Sequence, residues 1–383
     1  MPEFRFEPVE MPPGAARLRA EVRAFLEAEI GKGGFVPSVG AMVAGDPEFS
    51  RKCGERGYLG MTWPKAYGGH ERSMLERYIV VEEMLAAGAP VMAHWVADRQ
   101  SGPQILRNGS ERAKKTILPE IAAGRCYFAI GMSEPDTGSD LASVRTRASK
   151  VEGGYRVTGR KVWTSYAHKA HYVIALVRTG GRPEERHAGL TQLVVDLKSP
   201  GITVRPIINV YGGHDFNEVV FDDVFVPADM TVGGEGQGWA MVTSELAFER
   251  SGPDRFMSTY RLLVEALREL GQDAPAAAAA EMGRLVAHLA TLRRMSTSIA
   301  GLLEKGESPV TEAAVVKDLG TTLEQEIPEV VRRVLPLEPR VMRNGDFYGE
   351  LQRLAQQQAP SYSLRGGTRE ILRGMIARGL GLR

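Results

Sequence analysis

Residues 128–148 read FAIGMSEPDTGSDLASVRTRA, and residues 154–167, after a turn, read GYRVTGRKVWTSYA. The first stretch passes from the apolar run YFAIGM at 127–132 into a polar loop, SEPDTGSD, at 133–140. Gly138 permits close backbone approach in that loop, and Ser133, Thr137 and Ser139 offer hydroxyls. A loop of this kind can bind phosphate through backbone N–H groups. It can also be an Asp/Gly turn between helix and strand, and composition alone favours that reading. In the second stretch Tyr155, Val157 and Gly159 alternate with Arg156, Thr158 and Arg160, a period of two that marks a strand. Trp163, taken by itself, reads as a buried strand tryptophan.

Outward from there, YVIALVRT, LTQLVVDLKS, ITVRPIINV and NEVVFDDVFVP follow as short strands between Gly, Pro and Asp turns. Such spacing favours an antiparallel barrel or sandwich over βαβ units. Before this region the pattern is helical. Leu18, Val22, Phe25, Leu26 and Ile30 recur at helical spacing in ARLRAEVRAFLEAEI, and SMLERYIVVEEMLAA and PQILRNGSERAKKTILPEIAAG give further helices. TWPKAYGGHER is a turn-rich loop between them. From Gly233 the helical period returns in FMSTYRLLVEALREL, AAAAAEMGRLVAHLATLRRMSTSIAGLLE and VTEAAVVKDLGTTLEQEI, segments of a size that packs as a bundle. The expected fold is α+β and multidomain. It has an N-terminal helical domain (1–126), a middle antiparallel β-barrel or sandwich domain (127–232) and a C-terminal four-helix bundle (233–383). No GxGxxG follows a strand, which argues against a nicotinamide-binding Rossmann domain.

The bulk properties narrow the function classes. A length of 383 residues suits two or three domains. A formal net charge of +1 makes no electrostatic case for nucleic acid or a membrane surface. No apolar run is long enough to span a bilayer. Cys53 and Cys126 are far apart and form no CxxC pair, which suits a reducing, cytoplasmic setting. The acidic, proline-rich start MPEFRFEPVEMPPG is unlike a signal or transit peptide. His168 and His171 are three residues apart without a third ligand nearby, so a surface turn is expected there rather than a metal site.

The segments Ser133-Glu134-Pro135 with Gly138-Ser139-Asp140, and Lys161-Val162-Trp163-Thr164-Ser165, resemble the (T/S)EPxxGSD and K-x-W-(I/T)-(T/S) segments of the acyl-CoA dehydrogenase family. WPKAYGG at 63–69, GSERAKKTILPEIAAG at 109–124, GEGQGWAMVTSELAFER at 234–250 and GGTREILRGMIARGLGL at 366–382 extend the resemblance, in order, over nearly the whole chain. The resemblance implies an FAD enzyme that introduces an α,β double bond into an acyl-CoA and passes electrons to an electron-transfer flavoprotein. It implies that Trp163 packs against the isoalloxazine and that Thr164 and Ser165 hydrogen-bond near its N5 edge. Ile130, Met132 and Ser133 would line the pyrimidine edge. Ser139 would lie on the flavin diphosphate or the CoA side. A hydride-accepting flavin needs such an apolar face with a few donors at its edges.

The resemblance also bears on the base. Many family members carry a glutamate near the C-terminus in a YEGT-like motif, but this chain has Arg365-Gly366-Gly367-Thr368 there, with Gly366 at the glutamate's place. A second family arrangement puts the glutamate in an L-x-x-E-R-like motif, here Leu246-Ala247-Phe248-Glu249-Arg250. Glu249 is therefore the expected base, with Glu245 the competing carboxylate one turn away. Arg250 would orient Glu249 or face the CoA side. The Gly366 N–H would point at the thioester carbonyl. Thr368 is expected beside the cofactor and as N-cap of the last helix.

Two family features are missing. RFMSTYRLLVEALRELGQDAP lacks the Arg-x-x-Phe-Gly-like residues of homotetrameric members, and VMRNGDFYGELQRLAQQ lacks their GGxGY-like loop. Both reach a neighbouring subunit's flavin in the family. ELAFERSGPDRF is similar to the base-supplying chain of two-chain, steroid-side-chain members. A heterotetramer with a second family chain and a bulky acyl-CoA is thus one expectation, and a homo-oligomer the other. An acyl-CoA oxidase, a flavin monooxygenase of the same fold and a non-catalytic subunit are the alternatives.

Overall fold

The computed structural model describes residues 4–40, 44–181, 185–250, 252–335 and 346–382, with backbone alone for 245–249. In chain order the helices are α1 (Ala15–Gly31), α2 (Pro47–Glu55), α3 (Met74–Ala86), α4 (Met92–Val96), α5 (Gly102–Asn108), α6 (Glu111–Ala122), α7 (Gly238–Arg250), α8 (Tyr260–Leu270), α9 (Ala276–Glu304), α10 (Val310–Val334), α11 (Phe347–Tyr362) and α12 (Arg369–Gly379). The strands are β1 (Phe128–Gly131), β2 (Arg147–Val151), β3 (Gly154–Lys161), β4 (Tyr172–Arg178), β5 (Leu190–Asp196), β6 (Ile202–Ile207), β7 (Phe216–Pro227) and β8 (Thr231–Val232). They form two compact units. One comprises Met1–Ala44, Ser73–Pro90 and Ala247–Arg383; the other comprises Gly45–Arg72 and Val91–Leu246.

The sheet lies in the second unit, in the order β6-β7-β3-β2-β4-β5-β8, with β1 beside β4. Most neighbours are antiparallel, as the short strands and tight turns predict. Two pairings are parallel, β1 with β4 and a single residue pair, Arg147 with Arg178, between β2 and β4. Parallel neighbours need a long crossover, and the chain between Gly131 and Tyr172 supplies it. Alternate residues Val173, Ala175 and Val177 of β4 join Leu193, Val195, Val157, Val219 and Phe221 in one core. Leu176, on the other face of β4, packs with Val144, Leu190 and Val242 in a second cluster. Burial on both faces explains why YVIALVR is nearly continuous in its apolar residues. The expected strand ITVRPIINV stops at Ile207, because Asn209 turns the chain back by accepting the Gly213 N–H on its side chain at 2.8 Å.

In the first unit α10 is central and touches α8, α9, α11 and α12, while α3 packs on α1 and α9. A capping box starts α3. Ser73 Oγ accepts the Glu76 N–H at 3.1 Å, and Glu76 accepts the Ser73 N–H at 2.9 Å. The buried carboxylates of Glu82 and Glu83 then tie α3 to Arg19 and Arg23 of α1 and to Arg293 of α9. The break between α8 and α9 ends at Pro275, so the alanine run is helical from Ala276.

Among the described residues no helix is long and apolar enough to cross a membrane, and no group of three potential metal ligands converges. His168 stacks on His214 at 3.8 Å between ring centroids, while His171 Nδ1 accepts the Tyr127 N–H at 3.0 Å. Neither cysteine forms a disulfide, both are buried, and burial pushes the Cys126 thiol up to about 12.

Candidate active site

The two motif segments of the second unit are clasped by a buried ion pair. Lys161, the last residue of β3, is fully buried, and its Nζ donates to Glu134 Oε1 at 2.8 Å and to the Met132 carbonyl at 3.0 Å. Glu134 also accepts the N–H groups of Arg145 at 2.7 Å and Thr146 at 2.9 Å. The Val162 N–H closes the clasp on the Ser133 carbonyl at 2.9 Å. Burial pushes the Lys161 ammonium down to about 8 against the pull of Glu134. Burial works against the Glu134 charge as well, but Lys161 and the two N–H donors outweigh it and hold this carboxyl below its usual value.

The chain leaves the clasp in an unusual conformation. Trp163 has φ 58° and Tyr166 φ 60°, left-handed values that cost a side-chain-bearing residue about 1–2 kcal/mol. Trp163 is 59% exposed and lies edge-to-face with Phe216, ring to ring at 6.0 Å and 83°. The reading of a buried strand tryptophan is thereby overturned, since the turn after β3 carries the indole outward. Asn217 holds the turn from behind by exchanging backbone hydrogen bonds with Thr164 at 3.0 and 3.1 Å and donating its amide to the Thr164 carbonyl. The Thr164 side chain is sealed in, and its hydroxyl has no partner among the described residues. A sealed hydroxyl is poorly placed to meet a ligand, so Ser165, which is half-buried, is the better donor of the two. Ile130, Met132 and Ser133 are also half-buried, and Ser139 is exposed in its loop. An open indole face beside apolar and hydroxyl side chains fits the ring of a flavin. These residues could hold one.

The remaining expected residues lie in the first unit. Gly366 and Gly367 have φ 65° and 94°, values that glycine adopts without strain. Their carbonyls face two cations. Arg250 Nε donates to the Gly366 carbonyl at 3.1 Å, and Lys317 Nζ donates to the Gly367 carbonyl at 3.0 Å. Arg250 is only 3% exposed and also donates to the Met375 sulfur at 2.9 Å. That placement fits a residue that positions the loop better than one that touches CoA. Arg365 donates to the fully buried Glu324 at 2.8 Å and to Ser258 Oγ at 2.7 Å. Burial opposes the Arg365 charge, but Glu324 more than offsets it and the guanidinium is held above its ordinary value. Thr368 caps α12, its hydroxyl accepting the Ile371 N–H at 3.5 Å. Glu249 is in α7, one residue before Arg250, but its side chain, like that of Glu245, lies outside the described residues.

Sequence reasoning missed Lys161, Glu134 and Asn217 as the frame of the Trp163 turn, and Lys317, Glu324 and Arg365 as the frame of the glycine turn. Glu134 and Lys161 stood inside quoted motifs, so their signal was present but unassigned. Lys317 lies among apolar residues at helical spacing, and nothing local marks it as buried.

A helix–sheet–helix chain with these clasped segments defines a fold of the acyl-CoA dehydrogenase type. The chain belongs to the acyl-CoA dehydrogenase family. The family's N-terminal domain model matches residues 13–125 and its middle domain model residues 129–224, more than half of the chain together. Acyl-CoA dehydrogenase FadE29 of Mycobacterium tuberculosis is 38% identical over 66% of this chain and 65% of its own length. The chain therefore spans slightly less than two thirds of that relative. Among solved structures, the Tcur3481–Tcur3483 steroid ACAD is similar with a TM-score of 0.85 and 28% identity, covering 98% of this chain and 99% of that one. The ChsE4–ChsE5 complex from Mycobacterium tuberculosis is similar with a TM-score of 0.82 and 29% identity, covering 98% and 100%.

Proposed function

We propose that the chain is an FAD-dependent acyl-CoA dehydrogenase that oxidises the α,β bond of an acyl-CoA thioester, with Glu249 as base. The observation that carries this reading is the exposed, left-handed Trp163 held by the buried Lys161–Glu134 pair. Strained positions of this kind cluster at functional sites. Bound FAD would supply a two-electron acceptor for the β-hydride.

The chain's own residues do the rest. Trp163 would pack against the flavin ring, Ser165 would donate at its edge, and Ile130, Met132 and Ser133 would flank it. Thr164 backs the turn, and Ser139 offers a hydroxyl to the diphosphate or the CoA. The Glu249 carboxylate takes the α-proton and becomes the acid. An unassisted α-proton is too weakly acidic for a carboxylate, so the thioester carbonyl must be polarised. The Gly366 turn supplies N–H groups for this, and Thr368 fixes the turn to α12. An electron-transfer flavoprotein would be the electron acceptor.

A two-chain assembly is favoured over a homo-oligomer. The motifs that reach a neighbour's flavin are missing, and two similar solved structures are named as pairs of gene products. The steroid naming of one of them supports a bulky acyl group as the substrate class.

The test is flavin content by visible absorbance, followed by anaerobic reduction with a panel of short, long and steroid-type acyl-CoAs, with the chain alone and with a candidate partner chain. Glu249→Gln is expected to retain flavin and lose reduction. Near-normal reduction by that variant removes Glu249 from the mechanism. Failure to bind flavin with any partner favours a non-catalytic subunit, and rapid oxygen uptake with substrate favours an oxidase or monooxygenase.

A further inference from the structure

The glycine turn of the first unit is held by two buried basic side chains, Arg250 and Lys317, and the expected mechanism gives Lys317 no role. Lys317, on α10, is fully buried, yet its ammonium reaches the Gly367 carbonyl at 3.0 Å. Arg250, on α7, is almost as buried and reaches the preceding carbonyl, that of Gly366, at 3.1 Å. Burying an ammonium is costly, and an aliphatic side chain would fill the same space at less expense. A lysine there has a donor for the Gly367 carbonyl that a methionine lacks, and this has an effect on the turn.

Peptide geometry says what that is. The C=O and N–H of a trans peptide point in opposite directions. Drawing the Gly366 and Gly367 carbonyls onto Arg250 and Lys317 turns the N–H groups of Gly367 and Thr368 the other way. Neither of these, nor the Gly366 N–H, donates to any acceptor among the described residues. A positive charge on the carbonyl oxygen also polarises the peptide and makes its N–H a stronger donor. The left-handed φ values of both glycines would let the turn relax into other shapes without this restraint. The Arg365–Glu324 pair anchors the residue just before the turn.

We propose that Lys317 and Arg250 are positioning residues for the acyl thioester: they lock and polarise the Gly366–Thr368 turn so that its free N–H groups bind the thioester carbonyl oxygen. This rests on the acyl-CoA reading above.

The experiment compares wild type, Lys317→Met and Lys317→Arg, each loaded with flavin. The probes are 1-13C-labelled butyryl-CoA and a 1-13C-labelled steroid side-chain acyl-CoA. The readouts are the infrared stretch of the bound thioester carbonyl, the Kd of the probe, and kcat against KM. Wild type is expected to shift the labelled stretch to lower frequency. Lys317→Met is expected to lose most of that shift and about tenfold to a hundredfold in kcat, the scale of a misplaced reacting group, with KM nearly unchanged. Lys317→Arg is expected to recover most of both. A Lys317→Met enzyme that keeps the shift and a near-wild-type kcat overturns the proposal, and so does a loss that Lys317→Arg shares in full. Should Lys317→Met not fold, Lys317→Gln carries the same comparison with a neutral donor. If wild type binds neither probe, or binds one without any shift, the acyl-CoA reading fails first, an outcome separate from loss of the shift in the variants alone.

Discussion

Replacing Lys161 by methionine tests the frame of the Trp163 turn. The substitution preserves most of the stem volume but strands the Glu134 carboxylate, which is 8% exposed, without its cation. Breaking a buried pair from one side costs about 3–5 kcal/mol, because the remaining charge keeps its desolvation penalty. Losing the donor to the Met132 carbonyl adds about 1 kcal/mol. For a unit of this size the total corresponds to a fall of roughly 10–20 °C in melting temperature. Removing both partners should hurt less. Lys161→Met with Glu134→Gln leaves no uncompensated charge, and the amide oxygen can still accept from Arg145 or Thr146. The assay is thermal and urea unfolding of the two single variants and the double variant, with flavin content measured alongside. The single Lys161→Met change is expected to lower both stability and flavin retention, and the double change to recover much of the stability. A Lys161→Met protein that melts within about 2 °C of wild type would refute the reasoning. Acid adds a second check. The Glu134 carboxyl is held below its ordinary 4.5, so its contribution is present above that pH and lost as pH falls through the lowered value. Glu134→Gln should flatten that part of the acid unfolding curve.

Trp163→Gly should separate stability from cofactor binding: the exposed indole contributes little packing and glycine removes the left-handed strain, so unfolding should be unchanged or harder by about 1 kcal/mol, while flavin titration should show weaker binding. Gly367→Ala places a Cβ 3.0 Å from Arg250 Nη2 at a φ of 94°, so calorimetry should show a loss of about 1–2 kcal/mol, together with weaker thioester binding. His168 is kept below its ordinary 6.5 first by burial, then by the stacked His214 and by Lys169. The native state therefore resists its protonation, and stability that is full above pH 6.5 should decline as pH falls below it; urea midpoints from pH 7 to 5 should show a shallower decline in His168→Gln.

Much of the fold was legible because its signals are local. The alternation in GYRVTGR, the helical spacing of Leu18, Val22, Phe25 and Leu26, and the breaks at Gly and Pro each follow from which face of an element must be buried. The two motif segments, the glycine turn in place of the usual glutamate, and the cap at Thr368 were legible for the same reason. What each segment does once folded was not. Lys161 and Glu134 are 27 residues apart, Lys317 and Gly367 are 50, and Arg250 and Gly366 are 116. Nothing in a local window distinguishes a lysine destined for burial from one on a solvated face, or a strand tryptophan packed inward from one turned out by a left-handed residue. Nor does chain order reveal that α1 and α3 share a unit with the C-terminal helices while α2 and α4–α6 share one with the sheet. The elements, their order and the family could be read along the chain, because periodicity and turn chemistry are properties of neighbouring residues. Which charges are buried and which carbonyls they hold emerged with folding, because desolvation and pairing depend on residues that meet when the chain is folded.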